Sequence, residues 1–198
     1  MDGVPLDDLV TRLLSRSGFE YRLAMDDGDR DIAYRIRGET VLRQGWCQPQ
    51  DLPGGRERDE YDERALHVLG WDGEVPMSTG RVVLPPHLPT EDSCGIVVEP
   101  AGKVVDVGRM CVVGSYQSLE HAAFVGLMCR LYLEMRAQGY AVACGMMSAR
   151  AQVLVRHLGL QLERLGPERE YWNEARTPVR FSLFSSVPTR WRGDEVAR

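Results

Sequence analysis

Two aspartates three residues apart, Asp59 and Asp62, stand just ahead of a histidine, His67, and an arginine, Arg81, in the run "DEYDERALHVLGWDGEVPMSTGRVV". A second acid and arginine, Asp106 and Arg109, recur downstream at the same spacing. Carboxylates three apart can share one face of a turn, where the planar fork of a guanidinium reaches them bidentately. Such a network could hold an amino acid by both charged ends, or could brace one element of the fold over another. Residue types alone leave both readings open. Asp106 could take a proton from an amine, directly or through water, or bind the ammonium group. His67 titrates near neutrality when unperturbed, which suits a general base; the plainer reading is a half-buried strand histidine.

Composition limits the chemistry further. A chain of 198 residues, 43% hydrophobic, can bury one good core and does not require a second. The net charge of -5 argues against a nucleic-acid partner, whose phosphates call for an excess of basic residues. No apolar run reaches the roughly 20 residues that cross a bilayer, and Asp7 and Asp8 interrupt the first apolar stretch, so a cytoplasmic protein is expected. The five cysteines are scattered and lack C-x-x-C spacing, which suits neither a disulfide framework nor a zinc site, so no metal is expected.

The elements that must position these residues follow from periodicity. "PLDDLVTRLLSR" has the apolar spacing of an amphipathic helix within an N-terminal segment 1–18. "FEYRLAM" (19–25) alternates like a strand, and 31–46 reads as a helix interrupted or weakened at Gly38. The stretch 47–62, with Pro49, Pro53, Gly54 and Gly55, reads as a loop, and so does 85–95. Between them, 65–71 and 76–85 flank an Asp72-Gly73 turn and read as a hairpin. Residues 103–113 make the strongest strand signal, and the longest helix runs from an N-cap at Ser118 to Gly139. A strand (140–148), a helix (149–159) and two strands (160–166 and 179–187) complete a domain 19–187, before a polar tail, 188–198, expected to fray. Strands interleaved with helices make an α/β (α+β) mixed central sheet flanked by helices.

That order is the one seen in the acyl-CoA N-acyltransferase (GNAT) fold, and several motifs sharpen the likeness. "YRIRGETVLRQGW" resembles the R-x-x-V-[FY] helix of autoinducer (acyl-homoserine-lactone) synthases and N-acyl amino acid synthases, with Arg37 as the family arginine and Trp46 as the tryptophan that follows. "DEYD" with its hairpin resembles their D-x-x-D segment, and "VVDVGRMCVV" their E-x-x-R-[FL]-x-V strand. The "DEYD…H-x-L" run is closer to the N-acyl amino acid synthases. Departures are Val41 in place of an aromatic residue, Asp106 in place of glutamate, and Val155 where ordinary GNAT enzymes carry a tyrosine. The loop before the long helix, "VVGSYQSLEHA", also lacks the glycine-rich pattern that cradles the coenzyme A pyrophosphate.

The resemblance implies an N-acyltransferase that moves a fatty acyl group from a phosphopantetheine-linked thioester to the amine of an amino acid or related small amine by direct attack, with no bound cofactor. Acyl carrier protein is favoured over acyl-CoA as donor because the pyrophosphate loop is missing. It implies catalytic roles for Asp106 and Arg109 and an oxyanion contact from the backbone near Val112 or Val113. It implies an acceptor site of Arg37, Trp46, Asp59, Asp62, His67 and Arg81. An acyl-chain pocket would draw on Phe124, Met128, Leu131 and Met146, although helical spacing along 124–131 is most simply that of plain core. Arg150 and Arg156 would face the acidic carrier protein. The alternatives are an S-adenosylmethionine-dependent lactone synthase, which the shared arginine and acid positions permit, and a catalytically silent ligand-binding domain.

Overall fold

The computed structural model describes residues 6–157 and 160–182, so the expected tail and the end of the last expected strand, 183–187, lie outside the described residues. Helix α1 (Leu6–Arg16) leads into strand β1 (Glu20–Leu23) and helix α2 (Asp27–Arg43). The hairpin of β2 (Ala65–Asp72) and β3 (Val75–Val83) precedes a short helix α3 (Pro89–Cys94), strand β4 (Val104–Val112) and helix α4 (Glu120–Ala137). Strand β5 (Val142–Met147), helix α5 (Ala149–His157) and strands β6 (Leu162–Arg164), β7 (Arg169–Tyr171) and β8 (Glu174–Ser182) follow. The sheet order is β1-β2-β3-β4-β5-β8-β6, with β7 paired to β8 outside that path. Among the described strands, only β4 and β5 run parallel.

Four expectations are corrected. Helix α2 starts earlier than expected, because the Asp26 side chain accepts the Asp29 N–H and caps it, and it runs unbroken through Gly38. Gly38 is there for space, since a Cβ would lie 2.0 Å from the Gly55 carbonyl oxygen. The region read as a loop at 85–95 contains α3, whose Thr90 N–H is taken by the Asp106 carboxylate at 2.7 Å. The β7–β8 hairpin begins well before the strand expected at 179. Helix α4 is entered through a 3-10 turn, Gly114–Leu119, without a side-chain cap from Ser118.

Each face of the sheet is covered. Helices α1 and α4 close one face over a core that includes Tyr21, Val82, Val107, Leu127 and Leu131. Helices α2 and α3 close the other over two smaller apolar clusters, one around Ile36, Leu69 and Cys111, the other around Val83, Leu88 and Cys144. Cross-strand register puts three rows on this second face: Ala65–Val83–Asp106–Cys144, His67–Arg81–Gly108 and Leu69–Thr79–Cys111. The polar middle row lies between the two apolar clusters.

Strand β4 departs from strict alternation. Thr79 pairs with Cys111 and Arg81 with Gly108, so Gly80 faces two residues of β4, Arg109 and Met110. Arg109 adopts a left-handed φ of 53° at this bulge. The extra residue reverses the parity of the strand: Val105 and Val107 face α4 before it, and Met110 and Val112 face α4 after it. Without the bulge Arg109 would point into the apolar α4 face.

Candidate active site

The bulge delivers Arg109 to a buried ion network beneath α2. Arg37, on α2, pairs with Glu57 and holds both oxygens of Asp62, at 2.7 and 3.0 Å. Arg81, on β3, bridges Asp62 at 2.6 Å and Asp59 at 2.6 and 3.1 Å. Arg109 completes the ring, with Nε 3.1 Å from Glu57 and Nη2 3.0 Å from Asp59. The Asp62 carboxylate also accepts the Asp59 N–H at 2.8 Å and so shapes the 3-10 turn that presents both acids. Three guanidinium groups thus face three carboxylates, Glu57 being the member that sequence reading missed.

Burial separates the members by what they can touch. The side chains of Arg37, Arg81 and Asp62 are 1%, 2% and 4% exposed, whereas Asp59 and Arg109 keep 18% and 13%. The first three are therefore interior braces, and Asp59 and Arg109 are the members within reach of a ligand. Burial by itself would raise the Asp62 carboxyl, but the hydrogen bonds and charges of Arg37 and Arg81 outweigh it and hold the group below the usual carboxylate range. His67 is buried beside Asp62, its Nε2 3.6 Å from Oδ1, and packs edge-on against the Tyr34 ring. Burial, with help from Arg37 and Arg81, pushes its pKa down to about 4, so the ring is neutral at pH 7. A sealed neutral imidazole does not meet substrate from this position.

Asp106 sits in the neighbouring row, and burial pushes its carboxyl up, only partly offset by the Thr90 contact. Its Oδ2 takes the Thr90 N–H and lies 3.7 Å from the Cys144 sulfur, while Oδ1 lies on the side of Gly108. Pairing of β4 with β5 ends at Asp106–Cys144, after which the two parallel strands part. The Val113 N–H donates to the Met77 carbonyl at 2.9 Å, so it belongs to the β3 ladder. Alternation along the strand then turns the Val112 N–H away from β3, toward the side that β5 has left. Of the two expected oxyanion donors, Val113 spends its N–H in the β3 ladder and Val112 does not. Arg43, from the last turn of α2, fixes this end of β4 by donating to the Val112 carbonyl at 2.8 Å.

A cleft of about 650 Å³ opens beside the network, bordered by Cys47, Leu52, Glu57, Arg58, Asp59 and Trp172. Trp172 comes from the tip of the β7–β8 hairpin and lies over Arg109, with 4.7 Å from guanidinium carbon to ring centroid. Tyr171 OH stands 3.4 Å from the Arg109 Nη1. Trp46 is held at the margin: its carbonyl accepts from Asn173 at 3.2 Å, and Arg176 lies 4.8 Å from its ring. Trp172 and Asn173 both have positive φ, 56° and 51°, in a two-residue turn that ordinarily takes Asn-Gly. The strain of such non-glycine residues, about 1–3 kcal/mol each, is held by the contacts their side chains make. The alternating "REY" and "EAR" on either side of "WN" were the available sequence signal for this hairpin.

The remaining expected residues divide by face. Phe124, Met128 and Leu131 line the α4 core, and Leu131 packs within 2.9 Å of where a Gly80 Cβ would be. Met146 lies across the sheet from them, its sulfur 3.8 Å from that of Cys94 on α3. The four do not form one wall, because β5 alternates and Ala143 and Met147 are its α4-facing residues. Arg150, highly exposed, pairs with Glu120 at 2.8 Å, and Arg156 bonds Gln152 at 3.3 Å on the same exposed helix.

A mixed sheet parted between its fourth and fifth strands, with a bulge in the fourth and a long helix after it, is the GNAT acyltransferase fold. Among solved structures it is similar to the AHL synthase LasI, with a TM-score of 0.72 and 14% identity over 85% of this chain and 92% of that one. It is similar also to FeeM, an N-acyl amino acid synthase from uncultured soil microbes (TM-score 0.61, 18% identity, 87% of this chain and 92% of that one). A CoA-dependent acyl-homoserine lactone synthase, MesI, aligns with a TM-score of 0.62 and 23% identity over 82% of this chain and 88% of that one. No protein-family model matches the sequence, and no curated protein matches it by sequence. At these identities the likeness establishes the fold.

Proposed function

We propose that the protein is an N-acyltransferase that moves a fatty acyl group from a thioester, on acyl carrier protein in preference to coenzyme A, to the amine of an amino acid. The observation that carries this reading is the position of the cleft: it is lined by the partly exposed carboxylate of Asp59, which pairs with Arg109 on the bulged strand β4, the strand that parts from β5 beyond Asp106. The fold it shares with acyl-transferring synthases supports the same chemistry. Asp59 draws in the acceptor ammonium. Asp106, buried and with a carboxyl more basic than an ordinary aspartate, takes the proton that the ammonium must lose, relayed through water. The amine nitrogen then attacks the thioester carbon, and the Val112 N–H stabilises charge on the carbonyl oxygen. As the C–N bond forms the C–S bond breaks, and the departing thiolate takes up the second amine proton. No covalent acyl-enzyme is needed. The buried Cys111, Cys129 and Cys144 thiols all have raised pKa values through desolvation, which disfavours the nucleophilic thiolate.

Incubating the protein with acyl carrier proteins of several chain lengths, acyl-CoA, a pool of amino acids and S-adenosylmethionine, and reading products by mass spectrometry, tests this directly. An N-acyl amino acid formed faster from carrier protein is the expected product. A lactone would replace this reading with the S-adenosylmethionine-dependent one, and no product from any donor would leave a ligand-binding domain.

A further inference from the structure

We infer that Trp172 is the residue that selects the acceptor's side chain, and that the cleft takes an α-amino acid whose side chain is aromatic or aliphatic; this rests on the acyltransferase reading above. The cleft offers three kinds of surface. Asp59 supplies anionic charge at its border, with the buried Glu57 behind it. Arg58 supplies a cation at its border, exposed and without a hydrogen bond or ion pair among the described residues. Leu52, Pro53 and Trp172 supply the apolar wall. An amino acid zwitterion satisfies the first two with its ammonium and carboxylate, which leaves its side chain against the indole.

The tip of the β7–β8 hairpin is built to hold that indole in place. Residues 172 and 173 occupy left-handed conformations that glycine would adopt without strain, so their side chains are what the turn retains. The Trp172 ring is stacked on Arg109, and Asn173 ties the turn to the Trp46 carbonyl. β7 pairs with β8 alone among the described strands, so the tip projects from the main sheet through β8 and is fixed laterally by these contacts. An aromatic wall fixed on one face by a guanidinium adds contact area for an apolar side chain at little ordering cost, and adds nothing for glycine.

The test measures acyl transfer by the full chain, from a donor thioester it turns over, to L-phenylalanine, L-leucine and glycine. Trp172→Ala should raise the acceptor KM for phenylalanine and leucine by about tenfold while changing that for glycine less than about twofold. The donor KM should stay constant. Trp172→Phe should recover most of the loss, and it also serves where the alanine variant folds poorly. Asn173→Gly, which relaxes the turn but cuts its tie to Trp46, should raise the same two acceptor KM values more mildly. An equal loss for all three acceptors, or a raised donor KM, overturns the inference. Should the wild type acylate none of them, NMR titration of the same amino acids decides. Phenylalanine binding that disappears in Trp172→Ala upholds the cleft assignment while the acyltransferase reading falls, and absence of binding overturns the inference itself.

Discussion

Asp62 accepts from two buried guanidinium groups while the His67 ring beside it stays neutral, and both arrangements fail in acid. For His67 the folded pKa of about 4 lies below the unfolded value of 6.5, so the unfolded chain binds more protons between them. Stability from this group is complete above about pH 6.5 and is lost as the pH falls toward 4, amounting to about 3 kcal/mol over that window. Asp62, depressed below its ordinary value of 3.8, adds its own loss as the pH falls further. Melting curves from pH 7 to 4 should therefore fall steeply for the wild type and distinctly less so for His67→Phe, whose ring can still pack on Tyr34. Parallel curves would show that the histidine is not the titrating group. At this scale the acids and arginines were legible from type and spacing, but their division into braces and contact residues was not. Asp62 and Asp59 have the same chemistry in sequence, and burial alone distinguishes them.

Among the elements, α2 shows how packing overrules propensity. Glycine inside a helix normally costs about 1 kcal/mol against alanine, which is why the sequence suggests a break at Gly38. The helix continues because the 53–57 segment crosses it there, with the Gly55 carbonyl pressed against the glycine and the Glu57 N–H bonded to the Tyr34 carbonyl at 3.1 Å. This crossing carries Glu57 to Arg37. Gly38→Ala should then destabilise, by about 2 kcal/mol for an overpacked contact, or roughly 4–8 °C in a thermal melt of a domain this size. A rise in melting temperature, as propensity alone would give, would refute the close approach. The bulge in β4 makes the same point. Periodicity identified the strand, yet strict alternation would have put Asp106 and Arg109 on opposite faces.

For the whole molecule, the order of elements and the parting of β4 from β5 set the network and its cleft on one face and the α4 core on the other. The exposed side chains of Arg150 and Arg156 on α5 follow β5 directly, next to that parting. If they receive an acidic carrier protein, replacing both by glutamate should raise KM for the carrier-linked donor by at least about tenfold at low salt, and by less as salt increases. KM for the same acyl chain on coenzyme A should move little in parallel steady-state assays. Equal effects on both donors would place carrier docking elsewhere.

By itself the sequence determined most of the order of strands and helices, α3 and the β7–β8 hairpin apart, and the charged residues that meet beneath α2 other than Glu57, because hydrophobic periodicity and residue type are local properties that survive without knowledge of contacts. The tertiary structure decided which of those residues can reach a ligand, through burial; which face Arg109 serves, through one bulged residue; and that Glu57 and Trp172 belong to the site. These depend on pairing register and on the close approach of segments distant in sequence, such as the 57–62 turn and the β7–β8 hairpin, which no local window contains.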